Sequence, residues 1–241
     1  KVKTSQVYKN LIKNKKDMKE VHFVFGNLGA KRFIIPIAES FKGKFEIYCQ
    51  LANKDKPFNY KNVYFLPKWF NVKISLSTSF WLYVPSCIYL YLFFRRNKNI
   101  NLVAHMTTYA IFPLLIAFLA GVKKRTYFNH GFANIDAPIQ SKYALMIVEV
   151  INTLLSTKTI TVSPTHKNKI NSSLLGKIKK IYTTFPGSCC GIEKSRIIDL
   201  KKLNEKIKNL QKNDSEIYLT YIGRPLNRKG FPFIIEIFEN I

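Results

Sequence analysis

Short apolar runs alternate with longer, helix-patterned segments along most of the 241 residues. The first run, residues 21–25 (VHFVF), is followed directly by Gly26. Such a run, bounded by turn residues, is typical of a strand buried on both faces. Later runs have the same character: residues 44–51, 63–66, 102–104, 125–128, 159–162 and 177–182. Because helix-length segments separate most of them, the pattern predicts an α/β fold with a mostly parallel, doubly wound sheet.

The helix candidates of this pattern are residues 32–41, 80–94, 109–120 and 142–156, with Asn27-Leu28-Gly29 expected as a turn before the first. Residues 80–94 (FWLYVPSCIYLYLFF) are almost entirely apolar but fall short of the roughly 20 residues that span a bilayer. Pro85 is expected to kink this helix. A core helix is the favoured interpretation. The alternative is a helix with its aromatic face in a membrane interface and Arg95 and Arg96 among the headgroups.

The chain is strongly basic, with 39 lysines and arginines against 14 acidic residues and a formal net charge of +25. Such a charge predicts an anionic partner: nucleic acid, a membrane face or a phosphorylated substrate. The sequence contains no recognisable zinc module, ribonucleoprotein motif or helix-turn-helix, so nucleic acid is not the expected partner. A basic nucleic-acid-binding protein remains an alternative. The four cysteines lack zinc-site spacing and two are adjacent, which favours a reducing, cytoplasmic compartment.

The pattern divides the chain into a basic N-terminal lead, one complete domain, a linker with a polar helix, and the start of a second domain. These segments are residues 1–20, 21–184, 185–214 and 215–241. The last begins with a strand candidate, residues 216–222, and continues into a helix with Pro232 near its first turn. Phe233 and Phe238 are expected on the buried face of that helix. Since the chain ends inside it, we expect the second domain to be incomplete here.

Residues 221–236 (YIGRPLNRKGFPFIIE) resemble the glycine-arginine and lysine-glycine loop of retaining GT-B glycosyltransferases of family 4. Residues 102–131 are similar to the family's series of a strand ending in histidine, an apolar helix, a second strand and a histidine-glycine corner. The resemblance covers residues 21–241 as an ordered series and implies two Rossmann-like domains. The chain departs from the family at residues 190–193 (CGIE), where relatives often carry Asn-Gly-Ile/Val-Asp. It also ends before the family's paired glutamates.

The resemblance implies a donor site in the second domain. Arg224 and Lys229 would bind the donor diphosphate, and the flanking Gly223 and Gly230 would let the backbone approach it. His130 would lie near the donor sugar and support the oxocarbenium-like transition state as the catalytic residue. Without the resemblance, Arg224 and Lys229 would be interpreted as a basic surface loop. For His130, the alternative is a role limited to capping its turn.

The acceptor side of the cleft is expected to contain residues from the ends of several strands. These are Gly26, Asn27, Gly29, His105 and Ser163. A structural role is the alternative for His105, and capping of a helix is the alternative for Ser163. No cofactor is expected, and no metal, because the sequence has no Asp-x-Asp motif and fixed cations would stabilise the leaving diphosphate instead.

The expected function is therefore transfer of a sugar from a nucleotide-sugar donor to a lipid-linked or other saccharide acceptor, in bacterial surface polysaccharide synthesis. The basic charge predicts a peripheral location on the inner, anionic face of the cell membrane. A non-catalytic, truncated remnant is the second alternative. Residues 1–241 alone are expected to show little activity and weak, salt-sensitive binding of sugar nucleotides.

Overall fold

A seven-stranded sheet forms the centre of the first of two units, residues 1–192 and 193–241. The structure, a computed structural model, describes residues 19–40, 43–52, 55–73, 80–131, 139–172, 176–177, 179–184, 221 and 230–239. The predicted strand at residues 216–222 and the predicted polar helix of the linker lie outside these ranges, apart from Tyr221.

All strand pairs in the sheet are parallel, as the sequence pattern predicted. The strand order is β3-β2-β1-β4-β5-β6-β7. Strands β2 and β3 are added outward on one side of β1, and β4 to β7 are added outward on its other side. The strands are β1 Glu20–Phe25, β2 Phe45–Gln50, β3 Val63–Phe65, β4 Asn101–His105, β5 Lys124–Asn129, β6 Lys158–Thr161 and β7 Ile181–Thr183. This is a Rossmann-like sheet, whose topological switch point lies between β1 and β4.

Helices connect most of the strands. They are α1 (residues 27–39), α2 Val84–Arg96 after the 3-10 turn Phe80–Tyr83, α3 Thr107–Leu119, α4 Ile139–Leu155 and α5 Pro164–Asn171. Helix α1 joins an α-helical turn Asn27–Gly29, a π-helical turn Ala30–Ile34 and an α-helical turn Ile35–Glu39. The prediction of a non-helical turn at Asn27-Leu28-Gly29 is therefore wrong, because the helix begins directly after Gly26.

Two prolines explain the local geometry of these helices. Pro36 follows the π-helical turn of α1. A regular α-helix would bring its ring against the carbonyl four residues earlier, and the wider turn relieves that contact. Pro85 lies in the first turn of α2, where no intrahelical N–H is needed. The kink predicted inside α2 is therefore wrong.

Apolar side chains cover both faces of the sheet. On one face, α2 and α3 pack on alternate residues of β1 and β4, with Phe23, Leu102, Phe94 and Leu114 in one cluster. On the other face, α1 covers β1 and β2, and Ile37 of α1 also contacts a small cluster on β4, β5 and β6. Within the ranges described, no helix is long and apolar enough to cross a membrane.

Helix α2 is buried along one side only. Leu90 and Phe94 are fully buried, which confirms the prediction of a core helix for that side. Ile88 and Leu92 are 56% and 49% exposed on the opposite side. The helix therefore belongs to the core and also presents an apolar surface.

The described part of the second unit contains one helix, α6 Phe231–Glu239. It begins where the sequence predicted, with Pro232 in its first turn, and the ring of Phe231 contacts that of Tyr221. Phe233 and Phe238 are 70% and 71% exposed. The expectation that these two side chains are buried is therefore wrong.

Candidate functional site

The carboxyl ends of β1, β4 and β5 meet at the switch point of the sheet. Ligands of open α/β sheets bind in the crevice at this place. Gly26 follows β1, His105 ends β4, and His130 follows β5. Three of the residues predicted for the cleft are thus brought to one edge of the sheet.

Gly26 and Met106 have nearly the same unusual backbone conformation. Gly26 has φ 81° and ψ 134°, and Met106 has φ 68° and ψ 142°. Each lies between a strand and the helix after it, on the two strands that flank the switch point. For a residue with a Cβ atom, this conformation costs about 1–3 kcal/mol, and such strain is common at functional sites.

The two glycines of the first turn are expected to respond to alanine in opposite directions. Gly26→Ala should destabilise the fold by about 1–3 kcal/mol, because its φ is positive although space is available for a Cβ atom. Gly29→Ala should stabilise it by about 0.5–1 kcal/mol, since Gly29 is helical and its added Cβ would lie in ordinary contact with Met106. Urea unfolding of both variants measures the difference. Equal effects would contradict this backbone conformation.

Asp55 occupies the amino end of α1. Its Oδ2 accepts hydrogen bonds from the backbone N–H groups of Asn27, at 2.7 Å, and Ala52, at 3.3 Å. The Asn27 side chain donates to the carbonyl of Lys56 at 2.8 Å. Asn27 therefore holds the loop after β2 against the first turn, and an internal carboxylate lies at a turn that the sequence placed on the acceptor side of the cleft.

A row of hydrogen-bonded histidines leads from the interior of the sheet to His130. His130 Nε2 lies 3.0 Å from Nδ1 of His105, and His105 Nε2 lies 2.9 Å from Nδ1 of His22. His22 Nε2 lies 3.2 Å from Oε2 of Glu20, whose other oxygen accepts from Asn101. His22 and His105 are completely buried, whereas His130 is half-buried.

The environment of His105 keeps its ring neutral. Burial lowers the pKa of His105 well below 6.5, and the neighbouring His22 and His130 lower it further. A neutral imidazole donates from one nitrogen and accepts at the other. His105 can therefore connect His22 to His130 without carrying a charge, and it has no contact with solvent.

A buried carboxylate supports the corner from the other face of the sheet. Glu149 of α4 accepts hydrogen bonds from Tyr127, Thr107 and Asn129. The Asn129 side chain also accepts from the backbone N–H of Gly131 at 2.7 Å, which fixes the chain on both sides of His130. Burial raises the pKa of Glu149 to about 7, although all three hydrogen bonds act to lower it.

The fourth histidine of the chain lies at the same edge. Ser163 Oγ accepts from the backbone N–H of His166 at 3.2 Å and thereby caps α5. The His166 ring faces the corner, since a Cβ atom on Gly131 would lie 3.6 Å from its Cε1. Burial, followed by the charge of Lys169, lowers the pKa of His166.

The structure gathers the residues predicted for the first domain and adds others. Gly26, Asn27, Gly29, His105, His130 and Ser163 lie at the carboxyl edge of the sheet or in the turns that follow it. Gly230 precedes α6 in the second unit, whereas Gly223, Arg224 and Lys229 lie outside the described residues. Sequence reasoning missed Glu20, His22, Asp55 and Glu149. Over the ranges that the structure covers, no group of three metal-ligating side chains is found.

No protein-family model matches the chain, and no curated protein matches it significantly.

Proposed function

We propose that the protein acts as a retaining glycosyltransferase with a GT-B arrangement of two Rossmann-like domains. The observation that carries the proposal is the position of His130. It lies half-buried at the carboxyl edge of a parallel sheet, beside the switch point, with one ring nitrogen bonded inward to His105. A histidine held in this way can form a directed hydrogen bond to a ligand in the crevice.

In the proposed reaction, the bond between a donor sugar and a nucleoside diphosphate breaks, and an acceptor hydroxyl takes the sugar. Negative charge grows on the departing diphosphate, and positive charge grows on the sugar. Arg224 and Lys229 would stabilise the diphosphate. His130 would accept a hydrogen bond from a sugar hydroxyl and so help to hold the sugar as it becomes oxocarbenium-like. No metal is required in this scheme.

The test is calorimetric titration of the full-length protein with a panel of nucleotide sugars, followed by a transfer assay with membrane-extracted acceptors. We expect one nucleotide sugar to bind with micromolar affinity and its sugar to appear in the lipid fraction. Binding of RNA or DNA with steep salt dependence, and of no nucleotide sugar, would replace this proposal with the nucleic-acid alternative.

We further propose that the acceptor is a lipid-linked saccharide and that the protein docks on an anionic membrane face. The support is an exposed apolar surface on the layer of helices α2, α3 and α4. Five residues at helical spacing form its stripe on α4: Tyr143, Met146, Ile147, Val150 and Leu154. Trp81, Ile88 and Leu92 extend the apolar surface to the other side of α3, which packs between α2 and α4.

Basic residues lie at the border of this surface. Arg95 and Arg96 are exposed in the last turn of α2, and Lys98 follows them. Exposed apolar side chains grouped on neighbouring helices favour a site of interaction. Their combination with basic side chains favours a bilayer with anionic headgroups, where each basic residue contributes about 1 kcal/mol.

We expect the protein to sediment with vesicles that contain anionic lipid at low salt, and to be partly released by high salt. Leu92→Glu and Ile147→Glu should each weaken vesicle binding about tenfold or more. Each removes an exposed aliphatic side chain whose burial in the bilayer on docking would contribute about 1.5–3 kcal/mol. Tyr64→Glu, on the edge strand β3 and similarly exposed at 47%, is the matched control. Failure of the protein to sediment would contradict membrane docking.

A further inference from the structure

A polar row crosses one face of the sheet. It starts at Glu20 near the beginning of β1, continues through His22 and His105, and ends at His130 beyond β5. Apolar, buried side chains lie on the same face, among them Val24, Val103 and Phe128. A buried polar group is costly unless it is hydrogen-bonded. Each member of the row is bonded to the next, so the row is a continuous structure.

The buried end of the row determines the direction of its hydrogen bonds. Glu20 Oε1 accepts from the Asn101 amide at 2.8 Å, and an ionised carboxylate can only accept. His22 therefore donates from Nε2 to Glu20, and its Nδ1 accepts from His105 Nε2. By the same rule His105 Nδ1 accepts from His130 Nε2. All three rings then carry their proton on Nε2.

We propose that Glu20, His22 and His105 form a proton relay that fixes the tautomer of His130 and leaves its Nδ1 as a proton acceptor at the crevice. His130 is half-buried, and no hydrogen bond from a described residue reaches its Nδ1. Glu20, His22 and His105 are positioning residues, since they act on a ligand only through His130. The inference rests on the geometry of the row and is independent of the proposed glycosyl transfer.

The relay can take up one proton without leaving a charged ring in the row. A hydroxyl group or water in the crevice gives its proton to Nδ1 of His130, and the Nε2 proton of His130 passes to Nδ1 of His105. The Nε2 proton of His105 passes to His22, and that of His22 passes to Oε2 of Glu20. The three rings end neutral with their protons on Nδ1, Glu20 ends as a carboxylic acid, and the crevice group ends as its conjugate base.

The surroundings favour this neutral form. Burial and the adjacent rings lower the pKa of His105, so the central ring resists holding a charge. Lys31 and Arg32 of α1 are exposed to solvent rather than buried on the row. At the crevice end, His166 faces Gly131, and the Asp55 carboxylate is bonded to the backbone at the start of α1. The centre of the row therefore disfavours a charged ring, so a proton has to pass through it by transfer between neutral rings.

The test is ¹⁵N nuclear magnetic resonance of the imidazoles in the folded, ¹⁵N-labelled chain at neutral pH. The chain has four histidines, so His166→Asn and His130→Ala each identify one ring by removing its signals, and His105 is the ring coupled to two others. We expect His22, His105 and His130 to be protonated on Nε2, with an unprotonated Nδ1 on His130 and scalar couplings across the two histidine–histidine hydrogen bonds. A proton on Nδ1 of His130, or the absence of both couplings, would overturn the relay.

Glu20→Gln supplies the decisive variant. The Thr126 hydroxyl donates to the side-chain oxygen of Asn101, which leaves the Asn101 NH₂ group facing residue 20. The oxygen of the new glutamine amide therefore accepts from Asn101, and its NH₂ group faces His22. His22 must then accept at Nε2, and all three rings should move their proton to Nδ1.

Glu46→Gln is the matched control. Glu46 lies on the adjacent strand β2 and pairs with Lys19 outside the row. We expect its substitution to leave all three tautomers unchanged. An unchanged His130 tautomer in Glu20→Gln, or an equal change in the control, would refute the relay. If Glu20→Gln does not fold, the tautomers and couplings of the unsubstituted protein decide the question.

Discussion

Replacing His130 by alanine is expected to lower the turnover of the full-length protein by about 100-fold or more, while donor affinity changes by less than about threefold. The reason is that a hydrogen bond to the sugar strengthens as positive charge develops on it, so most of its effect falls on the transition state. Single-turnover transfer assays and calorimetric donor titrations measure the two quantities separately.

Arg224→Ala provides the contrasting variant. If Arg224 binds the diphosphate in the ground state, its loss should weaken donor binding as well as turnover. His130→Ala should remain folded, because the loss of a partner for Nδ1 of buried His105 costs about 1–3 kcal/mol, less than the stability of a typical domain. Turnover near that of the unsubstituted protein would return His130 to the role of capping its turn.

The largest effect on stability is expected from Glu149→Leu, at roughly 3–5 kcal/mol, since each unsatisfied buried donor costs about 1–3 kcal/mol. The substitution keeps a side chain of similar size but removes the acceptor of Thr107 and Asn129, while Tyr127 keeps only the hydroxyl of Thr107, at 3.2 Å. These three residues are buried, so water cannot replace the carboxylate easily. Urea unfolding measures the loss. A change below about 1 kcal/mol would contradict the importance of this cluster.

The same carboxylate should make stability depend on pH. Its pKa is about 7 in the folded protein, against 4.5 for an ordinary glutamate. As pH rises from 4.5 to 7, the unfolded chain releases this proton while the folded chain keeps it. The free energy of unfolding should therefore fall by about 3 kcal/mol across this window.

Glu149→Gln is the matched control for the pH effect, because it preserves the shape and removes the titration. The hydroxyl groups of Thr107 and Tyr127 can rotate to accept from the new NH₂ group. We expect its stability to be flat over the same pH window. A fall of equal size in this variant would assign the pH dependence to another group.

The strands were predictable from sequence because burial on both faces leaves a simple signal. Residues 21–25 are almost continuously apolar, and β1 was found there, beginning one residue earlier at Glu20. The start of α1 was predicted wrongly, because two glycines around Asn27 are typical of a turn. Gly26 alone needed its positive φ, whereas Gly29 has ordinary helical angles.

The site was less predictable, because its partners are distant along the chain. His22 is a single histidine within an apolar strand, and its partner His105 is 83 residues away. Glu149 is a charged residue in an amphipathic helix, and such residues normally lie on the solvated face, so the sequence gives no sign that this one is buried. Asp55 lies 28 residues from the turn that it holds. The sequence identified residues at the ends of predicted strands. It could not show which of them are hydrogen-bonded to one another, because that depends on the order of the strands in the sheet.

The strand order also has a consequence for how the chain acquires its structure. β1 pairs with β4, and the Glu20–Asn101 hydrogen bond joins residues 81 positions apart. Pairing across such a distance requires closure of a long loop before any contact stabilises it. Within that loop, β2 can pair with β1 earlier, and β3 can pair with β2. We therefore expect the histidine row and the crevice, which both need β1 beside β4, to form late in folding.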